Sequence, residues 1–254
     1  MLLAADIGNT NITFGGFEED SLVFVAHIST DVSKTCDEYA QTILGTLSLY
    51  NKQKLEITGA IISSVVPALN KTVSDALEFV YGIRPIIVAP GIKTGINIRC
   101  DDPSSVGTDL VCACVACNKL YGGPAIIVDL GTATKIMAID KNGTFTGVSI
   151  AAGVTMGLKS LYMGTAQLPQ VSLEAPECVI GKNTADCMKS GVVFGHAAMI
   201  DGMIDRFCQE LKMSAKVYAT GGLATVIIPH CKHGITLDEH MVLKGLNIIY
   251  NKNK

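Results

Sequence analysis

The chain has 254 residues, of which 48% are apolar and 17% are charged, and its formal net charge is −3. This composition excludes a disordered chain, because disorder requires low hydrophobicity and high net charge. The longest uninterrupted apolar stretch, residues 110–117, is far shorter than the roughly 18 to 20 residues that cross a bilayer. The sequence has no run of lysines and arginines, which argues against a nucleic-acid-binding surface. The length allows one large domain or two small ones.

The N-terminus and the cysteines indicate the compartment. Residues 1–5 are apolar but Asp6 follows at once, so we expect no signal peptide and a cytoplasmic protein. There the nine cysteines are expected to stay reduced. The tightest cluster is Cys112, Cys114 and Cys117, in a segment with the pattern of a helix. Positions two apart on a helix point in nearly opposite directions, which argues against a metal site at this cluster.

The first half predicts three antiparallel strands, followed by helices that alternate with strands. The strands are expected over residues 2–5, 12–17 and 22–28, joined by tight turns. Helices are then expected over residues 37–50, 67–80 and 104–120, and strands over residues 57–63 and 85–89. Ser104 or Ser105 is the expected cap of the third helix.

The second half repeats the pattern of the first thirty residues. At an offset of 123 residues, Asp6 and Gly8 align with Asp129 and Gly131, and strands are expected over residues 125–128, 136–139 and 145–150. The remaining elements are expected to be helices over residues 153–163, 183–211 and 238–250 and a strand over residues 215–219. The duplication predicts two α/β domains, residues 1–118 and 119–254, each presenting an acidic, glycine-containing turn to the cleft between them.

The two turns carry groups that suit a polyphosphate with its Mg²⁺. In each turn a carboxylate, Asp6 or Asp129, follows a strand, and a glycine allows close approach of backbone N–H groups to an anion. The carboxylate can hold the metal through water. Further donors are Asn9, Thr10, Asn11 and Thr13 in the first turn and Thr132 and Thr134 in the second. One copy alone would be better explained as an ordinary hairpin turn, but the second copy favours phosphate binding.

Two further features have alternative interpretations. Gly221 and Gly222 follow a predicted buried strand, where they could pass under a nucleotide or simply form a tight turn. Asp109 lies in the helix predicted from residue 104 and is a candidate base for phosphoryl transfer to an alcohol, which needs an acceptor for the hydroxyl proton. It could equally be a first-turn acid that stabilises the helix dipole.

The order of these motifs resembles that of the type III pantothenate kinases, the ATP-dependent enzymes of the first step of coenzyme A synthesis. The matching residues extend over the whole chain: Asp6-Ile7-Gly8-Asn9-Thr10, Asp102-Pro103, Val106-Gly107-Thr108-Asp109, Asp129-Leu130-Gly131-Thr132-Ala133-Thr134, Gly181-Lys182-Asn183-Thr184, Thr220-Gly221-Gly222-Leu223-Ala224 and Leu243-Lys244-Gly245-Leu246. The resemblance implies duplicated ribonuclease-H-like domains of the actin/Hsp70/sugar-kinase fold, with the active site in the interdomain cleft.

The resemblance also implies roles for individual residues. ATP would be held by residues 6–13 (Asp6, Ile7, Gly8, Asn9, Thr10, Asn11, Ile12 and Thr13), by Thr132 and by the glycines Gly221 and Gly222, with Mg²⁺ on Asp6 through water. Pantothenate would contact Cys100, Gly107, Thr108, Asp109, Leu110 and Thr184, with Asp109 as the catalytic base. Asp129 would help to hold a monovalent cation, K⁺ or NH₄⁺. The family implies a homodimer whose interface lies in the C-terminal domain.

Four residues depart from the family pattern. Leu110 replaces an arginine, Cys100 a tyrosine, Ala152 a proline and Lys135 a threonine. The lost arginine removes a two-pronged donor for a carboxylate or phosphate at the acceptor end. Two alternatives to pantothenate phosphorylation therefore stay open. In the first alternative the chain is an impaired paralogue that acts as a nucleotide-binding regulatory or accessory module. In the second it is a kinase for a related small alcohol.

Overall fold

The computed structural model describes residues 1–50 and 57–254, which divide into two units. The first unit comprises Met1–Ile96, Asp101–Lys119 and Met241–Lys254. The second comprises Asn97–Cys100 and Leu120–His240. Each unit contains its own β-sheet, five-stranded in the first unit and six-stranded in the second.

The first unit contains a five-stranded sheet in the order β3-β2-β1-β4-β5. Its strands are β1 (Leu2–Ile7), β2 (Asn11–Glu18), β3 (Ser21–Ser29), β4 (Gly59–Ser64) and β5 (Ile86–Ile87). β1, β2 and β3 are antiparallel neighbours, whereas β1, β4 and β5 run parallel. The helices are α1 (Cys36–Ser48), α2 (Pro67–Tyr81), α3 (Thr108–Tyr121) and α7 (Met241–Asn253). Alternate side chains of β1, including Leu3 and Ile7, pack with α1 and α2 in one apolar core.

The second unit contains a six-stranded sheet in the order β11-β10-β7-β8-β9-β6. Its strands are β6 (Asn97–Ile98), β7 (Ala125–Leu130), β8 (Ala133–Ile139), β9 (Thr144–Ala152), β10 (Lys216–Thr220) and β11 (Ile235–Leu237). The helices are α4 (Val154–Met163), α5 (Thr184–Leu211) and the short α6 (Ala224–Ile227). Side chains of β7, α4, α5 and α6 form its core.

The duplication predicted from the sequence is confirmed. β7 has the bounds of β1 shifted by 123 residues, and β9 has those of β3 shifted by the same amount. In both units the first three strands form an antiparallel meander and the first strand also pairs in parallel with a later one. The two units are therefore two copies of one sheet topology, extended differently.

The units differ in two segments from the predicted domains 1–118 and 119–254. Helix α7 returns to the first unit, where it packs on β1 and β4 and the Asn247 amide donates to Asp20 at 3.0 Å. The segment Asn97–Cys100 joins the second unit because β6 pairs with the edge of β9. Strand pairing and helix packing, which are non-local, decide these assignments.

The start of α3 also differs from the prediction. The helix begins at Thr108, and Pro103–Ser105 form a separate 3-10 turn capped by Asp102, whose carboxylate accepts from the Ser104 N–H at 3.0 Å. Val106 is extended, with φ −68° and ψ 124°, and this interrupts any continuous helix. The prediction of Ser104 or Ser105 as the cap of α3 is therefore wrong.

Candidate functional site

The carboxyl ends of β1 and β4 position Asp6 in the first unit. These strands are parallel, and the register pairs Asp6 with Ser63. The buried Ser63 hydroxyl lies 3.0 Å from that of Thr108, the first residue of α3, and Asp109 follows directly. Ligands of open α/β sheets bind at the carboxyl ends of the strands. The sheet and the start of α3 thus bring Asp6 and Asp109 to the same end of the first unit.

The negative charge at this end of the first unit affects the pKa of the buried Cys112 thiol. Burial raises the pKa of the Cys112 thiol well above its usual value, and the negative charges of Asp6 and Asp109 raise that pKa further, while a hydrogen bond with Ser63 lowers it. Both carboxylates must lie near Cys112 to act on it, since Coulomb interactions weaken with distance. The thiol stays protonated and unreactive, because the thiolate is the nucleophile. Cys112 is a structural residue beside two carboxylates.

Thr108 fastens the start of α3 to β4. Its hydroxyl accepts a hydrogen bond from the Ser64 N–H and donates one to the Ser64 carbonyl, each at 3.0 Å. Thr108 is among the residues expected to contact pantothenate, and its hydroxyl is engaged with β4. These hydrogen bonds also hold the backbone that carries Asp109.

Replacing Thr108 by valine is expected to destabilise the first unit by about 2 kcal/mol, because the Ser64 N–H loses its partner. Denaturant unfolding measures this loss. The matched control is Thr42→Val on α1, where the hydroxyl bonds the Glu38 carbonyl of its own helix and the change should stay within about 0.5 kcal/mol. Equal stability of the two variants would contradict the fastening role of Thr108.

The first turn exposes fewer groups than its sequence implied. Ile7 and Ile12 are fully buried in the core, so only their backbone can face a ligand. The Gly8 N–H donates to the Asn11 carbonyl at 3.0 Å, and the Thr13 hydroxyl lies 3.1 Å from Nδ1 of His27. The exposed side chains of the turn are those of Asn9, Thr10 and Asn11.

In the second unit the turns after β7 and β10 lie against each other. The register pairs Asp129 with Thr220, and the Leu223 N–H donates to the Leu130 carbonyl at 3.2 Å. Gly221 has a φ of +94°, and a Cβ there would lie 2.6 Å from the Leu130 backbone. Only glycine suits both conditions. A Cβ on Gly222 would meet no atom within 4 Å, so this glycine leaves open space at the turn.

The two threonines of the second turn have different surroundings. Thr132 is exposed, whereas Thr134 is 1% exposed and its hydroxyl lies 2.7 Å from Nε2 of His196. The prediction that Thr134 reaches a phosphate is therefore not supported. Gly153, which the sequence reasoning missed, packs on the Thr132 carbonyl, where a Cβ would lie 2.1 Å from that oxygen. No local signal marks Gly153, because its neighbour lies 21 residues earlier in the chain.

Comparison with known proteins decides the family. The family model described as type III pantothenate kinase matches residues 2–206. The type III pantothenate kinase of Finegoldia magna is 42% identical, and the alignment covers 100% of this chain and 98% of the relative. The chain belongs to the type III pantothenate kinase family.

Solved structures show the fold. A Campylobacter jejuni protein, described as a Baf family transcriptional activator, has a TM-score of 0.61 at 20% identity, covering 99% of this chain and 98% of its own. The inorganic polyphosphate/ATP-glucomannokinase of an Arthrobacter species has a TM-score of 0.52 at 13% identity, with 99% of both chains covered. The predicted actin/Hsp70/sugar-kinase fold is confirmed. At these identities the likeness carries the fold alone.

The residues that the type III pantothenate kinase resemblance assigns to pantothenate are distributed over both units. Asp109 and Leu110 begin α3 of the first unit, and Leu110 is 5% exposed. Gly107 is crowded, since a Cβ there would lie 2.6 Å from Oδ1 of Asp109. Cys100 is half-buried after β6 in the second unit, and Thr184 is exposed at the start of α5. Within the first unit, the structure brings Gly107 and Leu110 beside Asp109.

The ion pair that Asp129 makes with Lys135 does not fit the family expectation of a monovalent cation at this carboxylate. Its Oδ2 accepts from the ammonium group of Lys135 at 2.8 Å, and both side chains are mostly buried. The resemblance implied a threonine at the position of Lys135. An added cation at this carboxylate would meet a like charge already bound to it.

His196, beside Thr134, makes the stability of the second unit pH-dependent. Burial lowers the pKa of His196 below its ordinary value of 6.5. The unfolded chain therefore binds a proton near pH 6.5 while the folded one does not, so stability present above pH 6.5 is lost as the pH falls toward the lowered pKa. Between pH 7.5 and 5.5 we expect Tm to fall further in the wild type than in His196→Gln. The same Tm difference in both proteins, with exposed His27→Gln as control, would contradict this.

Proposed function

We propose that the chain transfers the γ-phosphoryl group of ATP to the hydroxyl of pantothenate, giving 4'-phosphopantothenate in the first step of coenzyme A biosynthesis. The observation that carries the proposal is the full-length match to relatives named type III pantothenate kinase, at about 40% identity. The structure supports it by bringing two carboxylates to one sheet end in the first unit. The structural likenesses alone support only the fold.

Asp109 is the proposed general base. Phosphoryl transfer to an alcohol needs little from the protein beyond positioning, neutralisation of charge and an acceptor for the hydroxyl proton. The Leu110 N–H donates to Oδ1 of Asp109 at 2.8 Å, which holds the carboxylate at the start of α3. Thr108 holds that start on β4. The Leu110 N–H thus contacts the carboxylate itself, and Thr108 holds the backbone that carries it.

Each repeated turn, taken within its own unit, carries groups that suit part of a nucleotide. The donor set fits, because Asp6 supplies hard carboxylate oxygens for Mg²⁺, and Asn9, Thr10 and Asn11 expose amide and hydroxyl donors for phosphate oxygens. In the second unit exposed Thr132 and the open space at Gly222 suit a phosphate and a nucleoside. Mg²⁺ held at Asp6 would neutralise phosphate charge.

A homodimer is proposed from the apolar surface of the second unit. Ile150 on β9 and Met163 at the end of α4 are 65% and 69% exposed, and Met156 and Leu161 add to the exposed apolar area of α4. A second copy of the chain would remove this surface from water. We also propose a cytoplasmic location, where the substrate pool of a coenzyme A enzyme lies. Among the described residues, no helix is long and apolar enough to span a bilayer.

The proposal is tested by coupled ADP release from ATP and Mg²⁺, with pantothenate present, absent or replaced by a panel of small alcohols. We expect release that depends on pantothenate. Release with another alcohol only would indicate a kinase of changed acceptor specificity, consistent with the apolar Leu110 and Cys100. Nucleotide binding by calorimetry without any release would indicate the accessory module. Both of these results would overturn the proposed reaction.

A further inference from the structure

The ion pair between Asp129 and Lys135 is built into the sheet of the second unit. The two residues are opposite each other in the antiparallel pair β7 and β8, so their side chains project from the same face. Their charged atoms lie 2.8 Å apart, and the side chains are only 12% and 18% exposed. Such a pair is screened much less by salt than a surface pair. It is therefore a persistent feature of the turn that carries Thr132.

The first repeat provides an internal comparison. There the register places Thr13 opposite Asp6, so the residue facing the carboxylate is neutral. The same strand, turn and strand arrangement thus carries a hydroxyl opposite the acid in one unit and an ammonium group opposite it in the other. The strand pair forms with either a threonine or a lysine opposite the aspartate, so the sheet itself does not require the positive charge at Asp129.

A lysine ammonium group can replace a bound monovalent cation. It carries one positive charge and donates three hydrogen bonds, which matches the charge of K⁺ and the donor chemistry of NH₄⁺. Because it is covalently attached, its effective concentration at Asp129 does not depend on the salt in solution. A second cation at the same carboxylate is disfavoured by the like charge in contact.

We propose that Lys135 is a built-in cation that replaces the dissociable K⁺ or NH₄⁺ expected at Asp129, so that this kinase works without a monovalent cofactor. The inference rests on the proposed function for its activity assay, but not for its binding assay. Lys135 acts here as a positioning residue, since it contacts Asp129 and through it orders the turn that ends in Thr132.

The first test compares salts at constant ionic strength. The wild-type protein is assayed for ADP release in KCl, NH₄Cl and tetramethylammonium chloride, and its Tm with Mg²⁺ and a non-hydrolysable ATP analogue is measured in the same salts. We expect the rates to agree within threefold and the Tm values within about 1 °C. A larger rate in K⁺ or NH₄⁺, or a larger stabilisation by them, overturns the proposal.

The second test restores the neutral residue with Lys135→Thr, whose hydroxyl oxygen can coordinate a cation. In tetramethylammonium chloride we expect at least a tenfold lower rate than in the wild type, with recovery in K⁺ or NH₄⁺, and a Tm that rises with K⁺. Lys135→Met, which supplies no oxygen, should lose the rate without recovery. Lys141→Thr, at an exposed turn between β8 and β9, should behave like the wild type.

These measurements separate two failures. If no salt supports pantothenate-dependent ADP release, the proposed function fails, and the Tm of the wild type and of Lys135→Thr still decides the role of Lys135. If release occurs but the wild type requires K⁺ or NH₄⁺, the role of Lys135 fails and the proposed function stands. An unfolded Lys135→Thr leaves the wild-type comparison of salts as the deciding result.

Discussion

Replacing Asp109 by asparagine is expected to lower kcat for pantothenate phosphorylation by about 10²- to 10⁴-fold, the usual contribution of a general base. Asparagine keeps an oxygen that accepts from the Leu110 N–H, so the start of α3 should be preserved. The loss would then come from the missing proton acceptor. Steady-state kinetics with saturating ATP and pantothenate measure it.

The matched control for this variant is Asp75→Asn on α2, which removes an exposed carboxylate that pairs with Lys71. Its kcat should stay within about twofold of the wild type. Thermal unfolding of Asp109→Asn should give a Tm close to that of the wild type, which excludes a folding defect. An Asp109→Asn enzyme with wild-type kcat would show that another group takes the proton.

Replacing Gly245 by alanine is expected to destabilise the first unit by about 3 kcal/mol or more. Gly245 lies where α7 crosses α3, and a Cβ there would lie 1.9 Å from the Cys112 carbonyl oxygen. The obstructing atoms belong to the backbone, so no side chain can rotate away and the two helices must separate. Calorimetry should show a transition of the first unit lowered by on the order of 6 to 12 °C.

The control for the packing of α7 is Gly45→Ala on α1. A Cβ at Gly45 would meet no atom within 4 Å, and alanine favours a helix over glycine by roughly 0.5 to 1 kcal/mol. This variant should be as stable as the wild type or slightly more stable. Wild-type unfolding of Gly245→Ala would contradict the assignment of α7 to the first unit.

The repeated strands were predictable because their signals are local. Alternating apolar residues and the acidic glycine turns give β1, β2 and β3, and the offset of 123 residues transfers them to β7, β8 and β9. Pro67 marks the start of α2 correctly, since proline suits the first turn of a helix. The same local reasoning failed at Ser104 and Ser105, where an extended Val106 separates the 3-10 turn from α3.

The features that organise the candidate site depend on contacts between distant residues. Thr108 bonds Ser64, which is 44 residues earlier, and no pattern in the sequence indicates that pair. The return of α7 to the first unit likewise depends on packing against Cys112. The pair of Asp129 and Lys135 was accessible in principle, because the register of a hairpin follows from its turn, but the one-residue difference between the two repeats obscured it.

The most direct test of the proposed reaction is ³¹P NMR of the purified protein incubated with ATP, Mg²⁺ and pantothenate. The proposed reaction predicts the loss of the γ-phosphate signal together with the appearance of one phosphomonoester signal on the pantothenate hydroxyl, and neither change in Asp109→Asn over the same time. Conversion of ATP to inorganic phosphate without the phosphomonoester, or no conversion at all, would contradict it.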